Sequence, residues 1–210
     1  YDFGARSGYK LGDRTLVDGT VMMLTDPFHG IHMGVTAENV AAKYGVSREE
    51  QDEFAAESQR RAATAEAKAA FAEEITPVEV GGRKPVTVAV DEHPKPATTV
   101  ETLAGLRPAF QKDGTVTAGN ASGINDGGAA VLVTTEQIAR DRGATGLVAL
   151  EAVTTAAMEP ELMGYAPVLA LQALFERTGT TPKDIGTVEL NEAFASQAVA
   201  VIRDAGLDPA

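Results

Sequence analysis

The sequence predicts an α/β fold, and two observations carry that expectation. Residues 147–204 alternate apolar runs of strand length with longer helical stripes, the order strand, helix, strand, helix that suits an α/β layer. The chain also has 210 residues, 44% of them hydrophobic, enough to bury a core in one large domain or two small ones.

The elements follow in chain order. Residues 1–31 are rich in Gly and Asp without a lasting helical period and read as loops with short extended pieces, such as 20–24. A short helix is expected over 36–44, with Thr36 as N-cap and Gly45 as its C-terminal stop. Ser47 and Glu50 form a capping box that opens a helix running to about residue 72, along a stripe of Phe54, Ser58, Ala62, Ala65 and Ala69. Residues 75–80 and 85–90 read as strands around the turn Gly81-Gly82. The proline-stiffened 91–98 is an irregular loop, and 100–106 a short helix. A glycine-rich turn (119–128) precedes a buried strand at 129–133 and a helix at 134–142 with a capping box from Thr134 to Gln137. Beyond a boundary near Gly146 come strand 147–155, helix 167–177, a short turn opened by Thr181-Pro182, strand 187–190 and helix 192–204.

Charge and composition exclude several classes of function. The 18 Lys and Arg against 30 Asp and Glu give a net charge of −12, which argues against nucleic acid and anionic membranes as main partners. The chain contains no cysteine, which removes disulfides, thiolate metal sites and a cysteine nucleophile from these residues. No apolar stretch approaches the roughly 18 residues of a membrane-spanning helix.

Four features could carry chemistry. His29 and His32 are spaced to share a helix face, but a zinc site would need further ligands, and a packed or surface pair explains them as well. The backbone amides of 119–128 could approach a phosphate or a pantetheine arm, although the segment is neither a Walker loop nor a dinucleotide fingerprint and also reads as a plain turn. Asn191 stands where an apolar strand feeds a helix, at the usual ligand crevice of α/β folds, and could equally be an N-cap. Lys95 could anchor a phosphate or stand exposed as an isolated lysine. Glu189 and Glu192 are too oddly spaced to be a natural acid/base pair.

Four stretches in this order and spacing resemble the thiolase family. They are His32-Met33-Gly34-Val35-Thr36-Ala37-Glu38-Asn39; Ser47-Arg48-Glu49-Glu50-Gln51-Asp52-Glu53-Phe54; Leu106-Arg107-Pro108-Ala109-Phe110 continued by 114–126 (GTVTAGNASGIND); and Asn191-Glu192-Ala193-Phe194-Ala195. The resemblance covers essentially the whole chain, and His32-Met33-Gly34 resembles the biosynthetic, acetyl-CoA acetyltransferase type. It implies an incomplete thiolase-like fold: a loop domain for coenzyme A binding and tetramer contacts at 1–124, the last strand and helix of the N-terminal half-domain at 125–145, and the first part of the C-terminal half-domain at 146–210. It also implies that the chain is the interior of a protein roughly twice as long. Both catalytic cysteines and the catalytic histidine of a His-Pro-x-Gly motif would lie outside it, so the chain alone would be inactive.

The roles implied by the resemblance fall on individual positions. Asn191 matches the asparagine that holds a water beside the histidine in an oxyanion hole for the thioester enolate. Ala193 and Phe194 match walls of the acyl site. His32 and Met33 match the border of a short acyl pocket, which Met163 also reaches. Ser122 matches a pantetheine contact, with Leu24, Phe110, Ala118 and Ile124 as apolar neighbours of that arm. Lys95 matches a phosphate contact where relatives often carry arginine, and Thr102 and Leu103 match contacts near the adenine. The implied reaction joins two acetyl-CoA into acetoacetyl-CoA and CoA, reversibly, by a ping-pong route through an acyl-cysteine. No metal and no cofactor besides the CoA thioester substrate is expected, the full enzyme would be a homo-oligomer such as a tetramer, and the expected location is the cytoplasm. A 3-ketoacyl-CoA thiolase of fatty-acid oxidation and a non-catalytic CoA-binding or assembly protein are the rival readings.

Overall fold

The computed structural model describes residues 15–209. The loop reading of residues 1–14 lies outside the described residues. The first element of the described residues is a short helix, α1 (Gly19–Met23), where an extended piece was expected. The Asp18 carboxylate accepts from the amides of Thr20 and Val21, and this N-cap turns the β-prone residues into a helical turn. Helix α2 (Met33–Tyr44) begins four residues earlier than a Thr36 cap would allow. Its cap is His32, whose Nδ1 accepts from the amide of Gly34 at 3.0 Å, while Thr36 lies inside the helix and donates its hydroxyl to the Met33 carbonyl. The expected stop holds, with Gly45 at φ 63°.

The capping box of Ser47 and Glu50 opens α3 (Arg48–Ala62) as expected. The helix does not continue to residue 72. Thr64 accepts from the amide of Ala67 and starts a separate helix, α4 (Ala65–Glu74), because a hydroxyl that competes for backbone amides favours a new N-terminus over a continued helix. A hairpin follows: β1 (Val78–Val80) and β2 (Val86–Val88) pair antiparallel, Val78 opposite Val88 and Val80 opposite Val86. Next come α5 (Val100–Ala104), capped reciprocally by Thr99 and Thr102, and α6 (Glu136–Asp141), which is capped by Thr135 rather than by the expected Thr134. A 3-10 turn, Pro160–Tyr165, leads into α7 (Ala166–Thr178). The cap at Thr181 opens a 3-10 turn with Asp184. The last helix, α8 (Ala195–Ala205), starts after Phe194 rather than at residue 192, which leaves Asn191 in the connection ahead of it and not at the N-cap.

The three runs expected as strands, 129–133, 147–155 and 187–190, are not paired as strands. A strand needs a neighbour for its amides and carbonyls, and β1–β2 is the only sheet among the described residues. Val131, Leu132 and Val133 are 81–92% exposed and Val148 94%. Only the end of the second run is tied down: Thr154 donates to the Ala170 carbonyl of α7, and Arg177 donates to the Val153 carbonyl.

The core sits where helices meet. α8 packs on α2, α3 and α7, and α2 packs on the turn Pro160–Tyr165. Val40, Val46 and Ala200 are fully or nearly buried there, with Tyr44, Leu162, Tyr165 and Val199 against them. The hydroxyl of the buried Ser196 donates to the Ala37 carbonyl at 3.0 Å, which joins α8 to α2. Small residues along α8 permit this approach, and that is how the Asn191 connection comes to lie beside the 119–123 segment.

Candidate functional site

The site is built by a short backbone pairing between two distant segments. Ser122 donates its amide to the Ala193 carbonyl at 3.0 Å, Ala195 donates its amide to the Asn120 carbonyl at 2.9 Å, and Ala121 and Phe194 form the bridge between them. Through this pairing, Ser122 and Asn191 face one cleft of about 240 Å³, lined also by Phe54, Ser58, His93 and Glu192. Ser122 and Asn191 are both exposed to solvent. The Asn191 amide can donate to an oxygen that carries developing negative charge, and the hydroxyl of Ser122 can donate or accept.

Beside this cleft stands an aromatic cluster. The rings of His32 and Phe110 stack at 5.0 Å between centroids, and Phe194 meets Phe110 edge-on at 5.9 Å. Gly34 makes room for the stack, since a Cβ there would lie 2.2 Å from Cγ of Phe110. The backbone of Leu24 is part of the same corner, its carbonyl accepting from the amide of Met33 at 2.8 Å. Leu24, His32, Met33, Phe110, Ala193 and Phe194 are thus half-buried around one neighbourhood. Met163 is exposed on the turn that packs against α2, the helix Met33 begins.

The other candidates spread outward. Lys95 is exposed, and its loop is held by a bond from its own amide to Oε1 of Gln59 at 2.7 Å. Thr102 is exposed with its hydroxyl engaged in the α5 cap. Leu103 is buried beneath Gly119, where it packs rather than faces solvent. Ala118 and Ile124 are exposed, at either end of the paired segment.

Sequence reasoning missed the groups that hold this arrangement. Glu38 is buried on α2 and accepts from the amides of Thr115 and Val116 and from the Thr115 hydroxyl, all at 2.8–2.9 Å. Asp52, buried on α3, accepts from Nε of Arg48 at 2.7 Å and from Nδ2 of Asn120 at 2.9 Å. His93 also went unnoticed; its ring lies against Gly123, where a Cβ would come within 2.5 Å. Glu38 is a lone carboxylate on α2 and Asp52 lies in an acidic stretch of α3, so nothing local marks either as buried. His29 lies between the carboxylates of Asp26 and Glu161 at 3.1 and 3.4 Å, and the described residues contain no group of three or more metal-binding side chains. Burial works against the Asp26 carboxylate, yet the amides of His29 and Phe28 and the His29 ring hold it below the usual range. Among the described residues no helix is long and apolar enough to cross a membrane.

The family description "Thiolase, N-terminal domain" matches residues 1–137, and "Thiolase, C-terminal domain" matches residues 144–210. The acetyl-CoA acetyltransferase of Paracoccus denitrificans is 48% identical over 204 residues, 96% of this chain and 52% of that protein. That of Rhizobium meliloti is 49% identical over 206 residues, 97% of this chain and 52% of that protein. Among solved structures, the Bacillus anthracis acetyl-CoA acetyltransferase superposes with a TM-score of 0.84 at 40% identity. Human mitochondrial 3-ketoacyl-CoA thiolase does so at 0.86 and 42%, and each structure covers 97% of this chain and 52% of the solved one. The chain spans about half the length of these relatives. It belongs to the thiolase family, and its fold is a part of the thiolase fold.

Proposed function

We propose that this chain supplies the coenzyme A-binding region and the oxyanion asparagine of an acetyl-CoA C-acetyltransferase, an enzyme that joins two acetyl-CoA reversibly into acetoacetyl-CoA and CoA. The observation that supports it most is the pairing of 120–122 with 193–195, which puts Ser122 and Asn191 on one cleft beside the His32–Phe110–Phe194 cluster. In this reading residues 1–124 form the loop domain, 125–145 complete the N-terminal half-domain and 146–210 begin the C-terminal one. The acyl-CoA runs from its adenine near Thr102, through its phosphates at Lys95, along Ser122 to the acyl end at Asn191, while the buried Leu103 supports this surface from beneath Gly119.

The chemistry of these residues is binding and charge stabilisation. Condensation makes a carbanion next to a thioester, so negative charge grows on the thioester oxygen. The Asn191 amide, fixed ahead of α8, orients a donor toward that oxygen and does not have to reorganise as charge develops. The aromatic cluster with Met33 and Met163 limits the length of the acyl chain and keeps water from it. Lys95 attracts the phosphates as a point charge, without the bidentate fork of an arginine. The acyl-accepting nucleophile and the proton-transferring groups come from outside these 210 residues, which contain no cysteine. The CoA thioester is the substrate, and the reading requires no other cofactor and no metal. A homo-oligomer in the cytoplasm is the assembly that goes with it.

The test is thiolysis of acetoacetyl-CoA by the full-length protein in the presence of CoA, compared with 3-ketohexanoyl-CoA. Turnover of the four-carbon substrate with a marked loss on the six-carbon one supports the acetyltransferase. Equal or better use of the longer chain favours a 3-ketoacyl-CoA thiolase. CoA binding without turnover leaves a non-catalytic binder.

A further inference from the structure

We propose that Asn120 is a positioning residue of this site, and that its side-chain bond to Asp52 sets the register in which Ser122 and Asn191 face each other. The inference rests on the acetyltransferase reading for its consequence in turnover, but its structural content stands on the contacts themselves.

Asn120 is 3% exposed, and each of its polar groups has an assigned task. Its Oδ1 accepts from the amide of Thr117 at 2.7 Å, which closes a tight local turn. Its Nδ2 donates to Oδ1 of Asp52 at 2.9 Å and to the Thr115 carbonyl at 3.2 Å. Its own carbonyl accepts from Ala195, the first residue of α8. Asp52 is 1% exposed and is itself fixed by Nε of Arg48, whose Nη2 in turn donates to the Leu103 and Leu106 carbonyls.

One side chain therefore connects three elements. The charged end is anchored on α3, the backbone end leads into the connection that carries Asn191, and the next two residues lead to Ser122. The pairing beyond it is only two hydrogen bonds wide, too short to hold its register unaided. A slip of one residue would turn Ser122 to the opposite face and move the cleft wall away from Asn191. The amide group is required here for a definite reason. Position 120 must accept from Thr117 while donating to a carboxylate, and of the side chains of this size only asparagine does both without a charge.

Exchange of the two partners tests this directly. Asn120→Asp sets two carboxylates against each other in a buried space. In the double variant Asp52→Asn with Asn120→Asp, the new amide at 52 can donate to position 120 and still accept from Arg48, so every bond but the one to the Thr115 carbonyl can re-form. With the full-length protein and acetoacetyl-CoA, Asn120→Asp is expected to lower kcat/KM about 100-fold, the scale of loss for a misplacement of about 1 Å. The loss is expected in kcat as well as KM, since both Asn191 and Ser122 shift. The double variant is expected to recover about tenfold over Asn120→Asp alone. A folded Asn120→Asp protein with unchanged kcat and KM overturns the proposal, as does a double variant no better than the single one.

Amide hydrogen exchange covers the case of a single variant that does not fold or a protein that does not turn over. In the wild type and the double variant, the amides of Ser122 and Ala195 should be equally protected. In Asp52→Asn alone, which keeps the volume but weakens the anchor, both should exchange about tenfold faster while the amides of β1 and β2 are unaffected. Unchanged protection at both amides in Asp52→Asn overturns the proposal. A wild-type protein without acetoacetyl-CoA turnover overturns the acetyltransferase reading, and the exchange result still decides the role of Asn120.

Discussion

At the scale of single residues, the site depends on one donor and one missing side chain. Asn191 lies on the cleft wall and not at the cap of α8, so its amide is free to serve a ligand. Replacing it with alanine should leave the fold intact and lower kcat for thiolysis by the full-length protein about 10²- to 10³-fold, the usual loss of one oxyanion donor. KM should change far less, because the donor acts mainly on charge that exists only in the transition state. Steady-state kinetics with acetoacetyl-CoA checks this, and a loss in KM alone would make Asn191 a ground-state contact. Gly34 is the opposite case. A Cβ at that position would overlap the Phe110 ring at 2.2–2.4 Å, with His32 and Phe194 closing off the ring's retreat. Gly34→Ala should cost about 1–3 kcal/mol, the scale of overpacking, read as a lower denaturant midpoint at an unchanged m-value.

At the scale of elements, some local capping signals were legible in the sequence and others were displaced or missed, while the contacts that depend on distant partners were not legible. The capping box at Ser47 was visible because donor and acceptor lie three residues apart, and the structure has both of its bonds, at 3.1 and 2.7 Å. Ser47→Ala should therefore destabilise the protein by about 1 kcal/mol, measured by thermal or denaturant unfolding. The start of α2 was misread because a histidine cap is unusual and Thr36 offered a commoner one. The break at Thr64 was hidden by an unbroken alanine-rich stripe. The family resemblance singled out Asn191, Ser122 and Phe110, and the structure puts the first two on one cleft and Phe110 in the cluster beside it, whereas Glu38, Asp52 and Asn120 act across 68 to 78 residues of sequence and leave no local pattern. The C-terminal turn of α3 adds a pH-dependent term. Hydrogen bonds from Arg60 and Arg61 hold the Glu57 carboxyl at about 2. A lowered carboxylate contributes stability above its unfolded value near 4.5 and loses it as pH falls through about 2. The melting-temperature gap between wild type and Glu57→Gln should thus be present at pH 6, close by pH 2, and shrink with added salt because the pair is exposed.

At the scale of the whole molecule, the three unpaired apolar runs are the strongest statement the structure makes. Val131, Leu132 and Val148 are at least 90% exposed, and Leu150 is 78% exposed. They follow the pattern of buried strands, whose continuous apolar composition comes from having both faces covered. Each such side chain left in water forgoes about 1.5–3 kcal/mol of burial, and the bare amides and carbonyls of the same runs invite pairing with any free strand. The small core of α2, α3, α7 and α8 has to carry the isolated chain alone. Two outcomes follow from the same cause. As an isolated 210-residue polypeptide, the chain should bind a hydrophobic dye, associate with rising concentration in sedimentation velocity, and exchange its amides rapidly at 129–133, 147–153 and 187–190. At the full length of its thiolase relatives, those amides should slow by about 10³ or more as the runs gain neighbouring strands, while the protection of α2 and α8 changes little. Fast exchange of these runs in the full-length protein would mean that they are not sheet strands. The α/β layers of the fold would then have to be built from other segments.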